Sequence, residues 1–354
     1  MPLKTFILLL LMSSSCYATT LSGATISGLV IGDTNTNFTV GTGFFQDNGY
    51  DVQQSGYIQT STQARALFMT TAPSMTISLY NNAMYTNYSG THPGYCSIGI
   101  VVNGSLSQIN CTTSGAESQT VSLSAGTKTV ELRNGFNENR DESSNILGTF
   151  LTGVTFNGIS ASSKITTTQS SRIVIYGDSI STGAAHSQPG IYGWPALIRN
   201  NYPSISVMSE AVSSLAMHSD VSTNGTPSSM GSRLAGYFSG YTSKKIWISH
   251  GRNDIAQWSS SAFGTAYGQL LDAIHSADSA ILIYAQTPIL ATSDGTASAY
   301  RTEISNACSA RSSYCTTVDG TAILNGTTDL DDGVHPTAAA QSKYYDYVKG
   351  VLGL

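Results

Sequence analysis

Apolar and polar positions fall into two regimes along the chain. Up to about residue 165 they alternate over short runs, the two-residue period of half-buried strands. Leu67-Phe68-Met69 and Met75-Thr76-Ile77-Ser78-Leu79 lie either side of Pro73. Ile98-Gly99-Ile100-Val101-Val102, Val121-Ser122-Leu123, residues 127–132 and Phe150-Leu151-Thr152-Gly153-Val154-Thr155-Phe156 continue the series. Polar turns separate the runs. Asn103-Gly104 is the strongest of them, because both residue types accept the left-handed backbone that a two-residue hairpin needs. Many short strands with polar turns predict an all-β sandwich over 19–165. The polar stretch 166–171 (TTTQSS) reads as a linker.

Beyond it the pattern changes. Continuous apolar runs at Ile173-Val174-Ile175-Tyr176, 205–208, Ile246-Trp247-Ile248, 280–284 and 316–318 read as strands buried on both faces. Stretches suited to helix lie between and after them, at 194–200, 263–275, 297–312 and 337–351. Strands alternating with helices predict an α/β domain over 172–354, built on a parallel sheet covered on both faces. In such sheets ligands bind at the carboxyl ends of the strands. No internal repeat is found.

Composition narrows the function classes. The chain has 354 residues, 40% of them hydrophobic, enough for two cores. Only 10% are charged, the net charge is −5, and there is no basic run, which excludes a phosphate-neutralising nucleic-acid surface. The first residues have the form of a signal peptide, 1–18: Lys4, an apolar run at 6–12, then small residues up to Ala18. That run is far short of the roughly 20 residues of a membrane span, and no later segment is longer. A secreted or periplasmic protein without a transmembrane segment is expected. Cys16 offers lipid anchoring as the alternative, but Ser13 stands where lipoprotein signals usually carry Leu.

Four cysteines remain after the signal peptide. An even number in an exported chain suggests disulfides. Four allow three pairings, and local pairing, Cys96 with Cys111 and Cys308 with Cys315, keeps each bridge inside one domain. The first pair flanks the Asn103-Gly104 hairpin. The spacings match no zinc site, and no metal or cofactor is implied.

Four segments carry candidate chemistry, each at a strand end or before the last helix: Gly177-Asp178-Ser179-Ile180, Ser209-Glu210-Ala211-Val212-Ser213, Gly251-Arg252-Asn253-Asp254 and Asp332-Gly333-Val334-His335-Pro336. This ordered set resembles the SGNH hydrolases, the GDSL-like esterases and lipases, over 172–354. The resemblance implies a flavodoxin-like hydrolase domain with Ser179 as nucleophile, His335 as base and Asp332 as the residue that orients it. Asp329 and Asp331 lie close enough in sequence to compete with Asp332. The resemblance also implies an oxyanion hole from the Ser179 and Ala211 backbone N–H groups and the Asn253 side chain. The family usually has Gly where this chain has Ala211, and Ile180 replaces the usual Leu.

The chemistry of those roles is general. A serine hydroxyl is a weak nucleophile until a base takes its proton, and imidazole suits that task near neutral pH. A carboxylate holds the imidazole tautomer and stabilises the imidazolium. No Gly-x-Ser-x-Gly surrounds Ser179, so the α/β-hydrolase elbow is not the template. His92, His186, His218, His250 and His275 read as structural or surface residues, and Asp178 and Asp254 as anchors of their own loops. Trp247 reads as core. Trp258 and Trp194 flank the candidate loops; Trp258 is the better placed to stack on a sugar.

A sandwich ahead of such a domain resembles the arrangement of carbohydrate esterase family 2. The stretch 124–132 (SAGTKTVEL) is similar to the Gly-x-His-x-Val-x-Leu strand of that family's jelly roll, with Lys128 in the His position. The implied substrate is an acetylated polysaccharide, the implied reaction removal of O-acetyl groups. The competing readings are a general short-chain carboxylesterase or lipase of the same fold, a cell-wall O-acetyl esterase, and a non-catalytic carbohydrate-binding protein.

Overall fold

The computed structural model describes residues 24–32, 36–39, 52–54, 57–59, 65–81, 97–110, 112, 115–134, 149–158, 160–167, 169–183, 189–211, 214–255, 257–292, 295 and 297–354. The predicted signal peptide with Cys16, the Cys96 and Cys111 pair, His92 and His186 lie outside the described residues.

The first half is antiparallel β, as the alternation predicts. Its strands are β1 (Ala24–Gly32), β2 (Thr36–Thr39), β3 (Val52–Gln54), β4 (Tyr57–Gln59), β5 (Arg65–Thr70), β6 (Ser74–Asn81), β7 (Ser97–Val102), β8 (Ser105–Asn110), β9 (Gly115–Ser122), β10 (Lys128–Asn134), β11 (Thr149–Asn157) and β12 (Ser160–Thr167). One sheet has the order β1-β12-β5-β10-β7-β8, the other β2-β11-β6-β9. Residues two apart on each strand point the same way. Ala66, Phe68, Ile100, Val130 and Leu132 of the first sheet therefore share a core with Met75, Ile77, Leu79, Val154 and Phe156 of the second. Phe68 and Phe156 meet edge to face at 5.3 Å. The Asn103-Gly104 turn joins β7 to β8 with both residues at positive φ, as its sequence predicts.

Three of the six residues read as a linker are strand. Thr166 and Thr167 end β12, paired with Thr25 and Ala24, and Ser171 opens the next strand. β-Branched Thr suits a strand as well as a loop. The short connection is also tied down: the Ser170 carbonyl accepts from the N–H groups of Thr242 and Ser243.

The second half is a five-stranded parallel sheet of flavodoxin-like order. Its strands are β13 (Ser171–Gly177), β14 (Ile205–Ser209), β15 (Ser243–Ser249), β16 (Leu282–Gln286) and β17 (Cys315–Val318), arranged β14-β13-β15-β16-β17. Helices α1 (Ser179–Thr182), α2 (Pro189–Tyr192), α3 (Trp194–Asn201), α4 (Met217–Asn224), α5 (Pro227–Gly236), α6 (Ser260–Ala277), α7 (Ala297–Ser309) and α8 (Ala338–Leu352) fill the connections. Val174, Tyr176, Ile246 and Ile248 face the core that includes residues of α5, α6 and α7. Ile173, Ile175 and Trp247 face the one that includes residues of α3 and α8. Both faces are covered, which is why these strands read as unbroken apolar runs. Helices α4 and α5 have no counterpart in the sequence reading. Their Ser, Gly and Asn content hides them, and α5 starts on the Thr226 cap with Pro227 at its first position. Cys308 and Cys315 are bridged, joining the end of α7 to β17. Among the described residues no helix is long and apolar enough to cross a membrane.

Two helical glycines separate packing from propensity. A Cβ on Gly231 of α5 would lie 2.5 Å from Ala273 Cβ and 2.9 Å from the Leu270 carbonyl oxygen of α6, whereas one on Gly350 of α8 meets nothing within 4 Å. Gly350→Ala should raise stability by up to about 1 kcal/mol. Gly231→Ala should lower it by about 1–3 kcal/mol through overpacking. Chemical denaturation of both variants checks the pair, and a stabilising Gly231→Ala would mean that α5 and α6 are not in close approach.

Candidate active site

Strand β13 is the middle strand of three at the carboxyl edge, and the candidate serine follows it at once. Asp178 caps α1 by accepting the Ile180 N–H at 3.0 Å, and Gly183 closes this single turn with φ 80°. Ser179 is therefore the first helical residue, where a backbone N–H has no acceptor within the helix. The chain turns this sharply because Gly177 has no side chain: a Cβ there would lie 2.3 Å from Ser181 Oγ and 3.0 Å from the Ser249 carbonyl. Behind the turn, Trp194 Nε1 donates to the Ile180 carbonyl at 3.2 Å.

His335 comes from the other end of the domain. Its ring Nε2 lies 2.8 Å from Ser179 Oγ, and its Nδ1 lies 2.6 Å from Asp332 Oδ2. The other oxygen of Asp332 accepts the backbone N–H groups of Val334 and His335, at 3.0 and 2.8 Å. One carboxylate thus folds the loop and holds the ring. Partial burial works against its charge, but the His335 backbone and ring together with the Val334 N–H outweigh that and hold the carboxyl down at about 2. Asp332 stays ionised through the neutral range, and its side chain is 54% exposed. Asp329 is occupied elsewhere, with Lys343 Nζ at 2.6 Å and the Asn325 N–H at 3.0 Å. Asp331 contributes its backbone N–H to the His335 carbonyl. Of the three neighbouring carboxylates, Asp332 is the one on the ring.

The two other loops flank this pair. Ala211 follows β14 and Asn253 follows β15, the strands on either side of β13. Ala211 is buried, its φ is not positive, and its N–H makes only a long 3.4 Å contact to Ser209 Oγ. Ala211 therefore carries no left-handed backbone strain; among the described residues of this loop Ser214 is left-handed, with φ 61°. Asn253 Nδ2 donates to the Leu215 carbonyl at 3.3 Å, which links the two loops. Asp254 links them again. Its carboxylate accepts the N–H groups of Met217 and His218, capping α4 from a distant loop where the local cap residue, Ala216, has no side-chain acceptor. Asp178 and Asp254 are thus anchors, as their positions suggest, although Asp254 anchors a loop other than its own.

The three tryptophans divide. Trp194 is fully buried and stacks on Tyr344 at 5.0 Å, so it has no face for a substrate. Trp247 is core, with Nε1 on Gln286. Trp258 is half-buried beside the Asn253 loop and meets His218 edge to face at 4.9 Å.

No family model matches the chain, and no curated protein matches it. Solved structures do. It is similar to the salicylyl-acyltransferase SsfX3 from a tetracycline biosynthetic pathway, with TM-score 0.68 and 14% identity over 90% of this chain and 98% of that one. A GDSL-like lipase structure from Bacteroides ovatus gives TM-score 0.63 and 12% identity over 82% and 84%. A family two carbohydrate esterase from Cellvibrio japonicus gives 0.63 and 13% over 90% and 98%. The likeness extends over both halves of the chain and is one of fold, a parallel α/β sheet behind an antiparallel β region.

Asp178 supplies a pH test of this geometry. Burial pushes its carboxyl up to about 7; the Ile180 N–H and nearby His335 pull it down, and Asp254 adds to the rise. An unfolded aspartate titrates near 3.9. The folded value is the higher one, so the contribution to stability is fully present below the unfolded value and is lost as pH rises to about 7. Asp178→Asn keeps a capping residue and removes the titration. Between pH 4 and 7 the variant should lose less stability than the parent in urea titrations. Parallel pH profiles would show that Asp178 does not titrate in this window.

Proposed function

We propose that this chain is an exported serine esterase of the SGNH type that removes acyl groups, chiefly O-acetyl groups, from carbohydrate. The observation that carries the reading is the continuous path from Ser179 Oγ through the His335 ring to Asp332, at the carboxyl edge of the sheet. A hydroxyl, an imidazole and a carboxylate in that order activate a serine for attack on an ester or acyl carbonyl.

Ser179 Oγ attacks the ester carbonyl while His335 Nε2 takes its proton. Asp332 fixes the ring with Nδ1 protonated and stabilises the imidazolium. The Ser179 N–H, the Ala211 N–H and the Asn253 amide converge on the carbonyl oxygen as it gains charge. His335 returns the proton to the leaving sugar oxygen, and the acyl group remains on Ser179. Water then attacks the acyl-enzyme with His335 as base, releasing acetate and restoring the serine.

The sandwich over 19–165 and the hydrolase domain over 172–354 are assigned as separate domains. The Cys308–Cys315 bridge supports an oxidising destination and hence the signal peptide at 1–18. The half-exposed Trp258 and its neighbour His218 suit the face of a sugar ring. The family two carbohydrate esterase among the similar folds supports the choice of substrate class.

Two measurements test the proposal. Ser179→Ala should remove turnover of p-nitrophenyl acetate while the thermal transition is kept; Asn253→Ala should lower kcat about 10²–10³-fold with little change in KM. Full activity in a folded Ser179→Ala protein would reject the mechanism, and a rise in KM alone would make Asn253 a substrate-binding residue. Acetate release from a panel of acetylated xylans, mannans and cell-wall glycans then tests the substrate. Turnover confined to long-chain esters would favour the lipase reading.

A further inference from the structure

Trp194 is fully buried and takes no part in the steps above. It is the first residue of α3, where a helix leaves the backbone N–H without an intrahelical acceptor. Gly193, at the cap position, has no side chain to supply one. Gln341 of α8 does so from 147 positions away, its Oε1 accepting the Trp194 N–H at 3.1 Å. The other end of the same amide, Gln341 Nε2, is buried and has no hydrogen-bond partner. Burying an unpaired donor is costly, so the amide is kept for its oxygen.

The indole makes a second connection. Its Nε1 donates at 3.2 Å to the carbonyl of Ile180, the residue after the nucleophile. The Gly183 N–H reaches the same carbonyl at 3.3 Å as it closes α1, and two lone pairs accommodate both donors. The ring face lies on Tyr344, with centroids 5.0 Å apart and planes 12° from parallel. Tyr344 lies three residues beyond Gln341 on α8, so both meet Trp194 from one side of that helix. Tyr344 is fixed in turn: its hydroxyl donates at 2.5 Å to Gln286 Oε1, which also accepts Trp247 Nε1 at 2.8 Å. One side chain is thereby bound both to the turn that carries Ser179 and to the helix that begins just after His335.

We infer that Trp194 is a positioning residue for the Ser179–His335 pair, setting the distance between nucleophile and base by tying α1 to α8. Asp332 does not set that distance. Its oxygens bind Val334 and His335 of its own loop, so it aims the ring without fixing how far the loop stands from α1. The contact to be kept is 2.8 Å long. Hydrogen bonds of this kind span ~2.7–3.2 Å, and a drift of roughly half an ångström between α1 and α8 is enough to open it. The indole and Gln341 oppose that drift from the buried side. The inference rests on Ser179 and His335 as the nucleophile and base proposed above.

The test separates positioning from packing. Trp194→Phe keeps a ring on Tyr344 and removes the N–H to Ile180. Below the thermal transition of the variant, kcat for p-nitrophenyl acetate should fall roughly 10- to 100-fold with KM unchanged, the size expected when reacting groups are displaced by about 1 Å. Attachment of an alkylphosphonate to Ser179 also needs His335 to take the serine proton, and it should slow by a similar factor. A lower Tm with unchanged kcat and unchanged phosphonylation would make Trp194 packing alone and overturn the inference. Gln341 supplies the arm that leaves the indole in place. Gln341→Leu should lower kcat several-fold, and Gln341→Glu, which keeps an acceptor oxygen, should restore most of it. Equal kcat in these two variants would overturn the inference whether or not Trp194→Phe folds. Ser179→Ala, measured in parallel, keeps the two readings apart. An inactive Ser179→Ala beside an unimpaired Trp194→Phe rejects only the positioning role, whereas full activity in a folded Ser179→Ala rejects the esterase mechanism and this inference with it.

Discussion

The site depends on one ring held at both ends. His335 reaches across 156 residues of chain to Ser179 while bound to Asp332, three residues before it. A ring free to turn would spend most of its time away from the hydroxyl, so geometry at both nitrogens is what makes the pair useful. Asp332 supplies it by folding its own loop: two backbone N–H groups on one oxygen, the ring on the other. Gly333 makes this tight loop possible, with φ 82° and with Thr292 Oγ1 only 2.9 Å from where a Cβ would stand. Thr337 then starts α8 by capping Ala340, so the loop is anchored to a long helix packed on the sheet.

The same economy of local folding places the serine. A buried strand delivers Ser179 to the edge, Gly177 lets the chain turn against Ser249, and Asp178 caps the short helix that follows. That cap is costly to ionise, because burial outweighs the hydrogen bond it accepts. Strain of this electrostatic kind is commonly concentrated where chemistry is done. On the flanking strands, Asp254 and Asn253 stitch the two remaining loops together through Met217, His218 and Leu215. The proposed oxyanion donors therefore belong to one connected piece of backbone, and a shift in one loop is felt by the other.

The β region also touches the hydrolase fold close to this edge. Ile191 of α2, in the segment that follows α1, is buried, and its Cδ1 lies 3.2 Å from where a Cβ on Gly99 would stand. A glycine in the middle of β7 weakens that strand, and here it makes room for a neighbour. The sandwich is thus packed on the structure that carries the site, and the tied-down connection at Ser170 is consistent with that closeness.

Much of this was legible in the sequence, for physical reasons. Burial on both faces leaves unbroken apolar runs, so the strands carrying Ser179, Ala211 and Asn253 could be marked, and alternation marked the sandwich. The order of the four polar segments resembles the SGNH pattern, and that resemblance named Ser179, His335 and Asp332 as candidates. Local pattern could not choose among Asp329, Asp331 and Asp332, since that depends on which carboxylate the turn directs at the ring. It could not separate Trp194, stacked inside on Tyr344, from Trp258 at the edge, because both are aromatic residues near a loop. Nor could it relate Asp254 to the start of α4, residues that are 36 or more positions apart and follow strands separated by β13. Sequence determined which chemistry was available and at which ends of which elements. Tertiary structure decided which of those groups face one another, because side-chain direction and approach across a sheet are set by packing and not by neighbours in the chain.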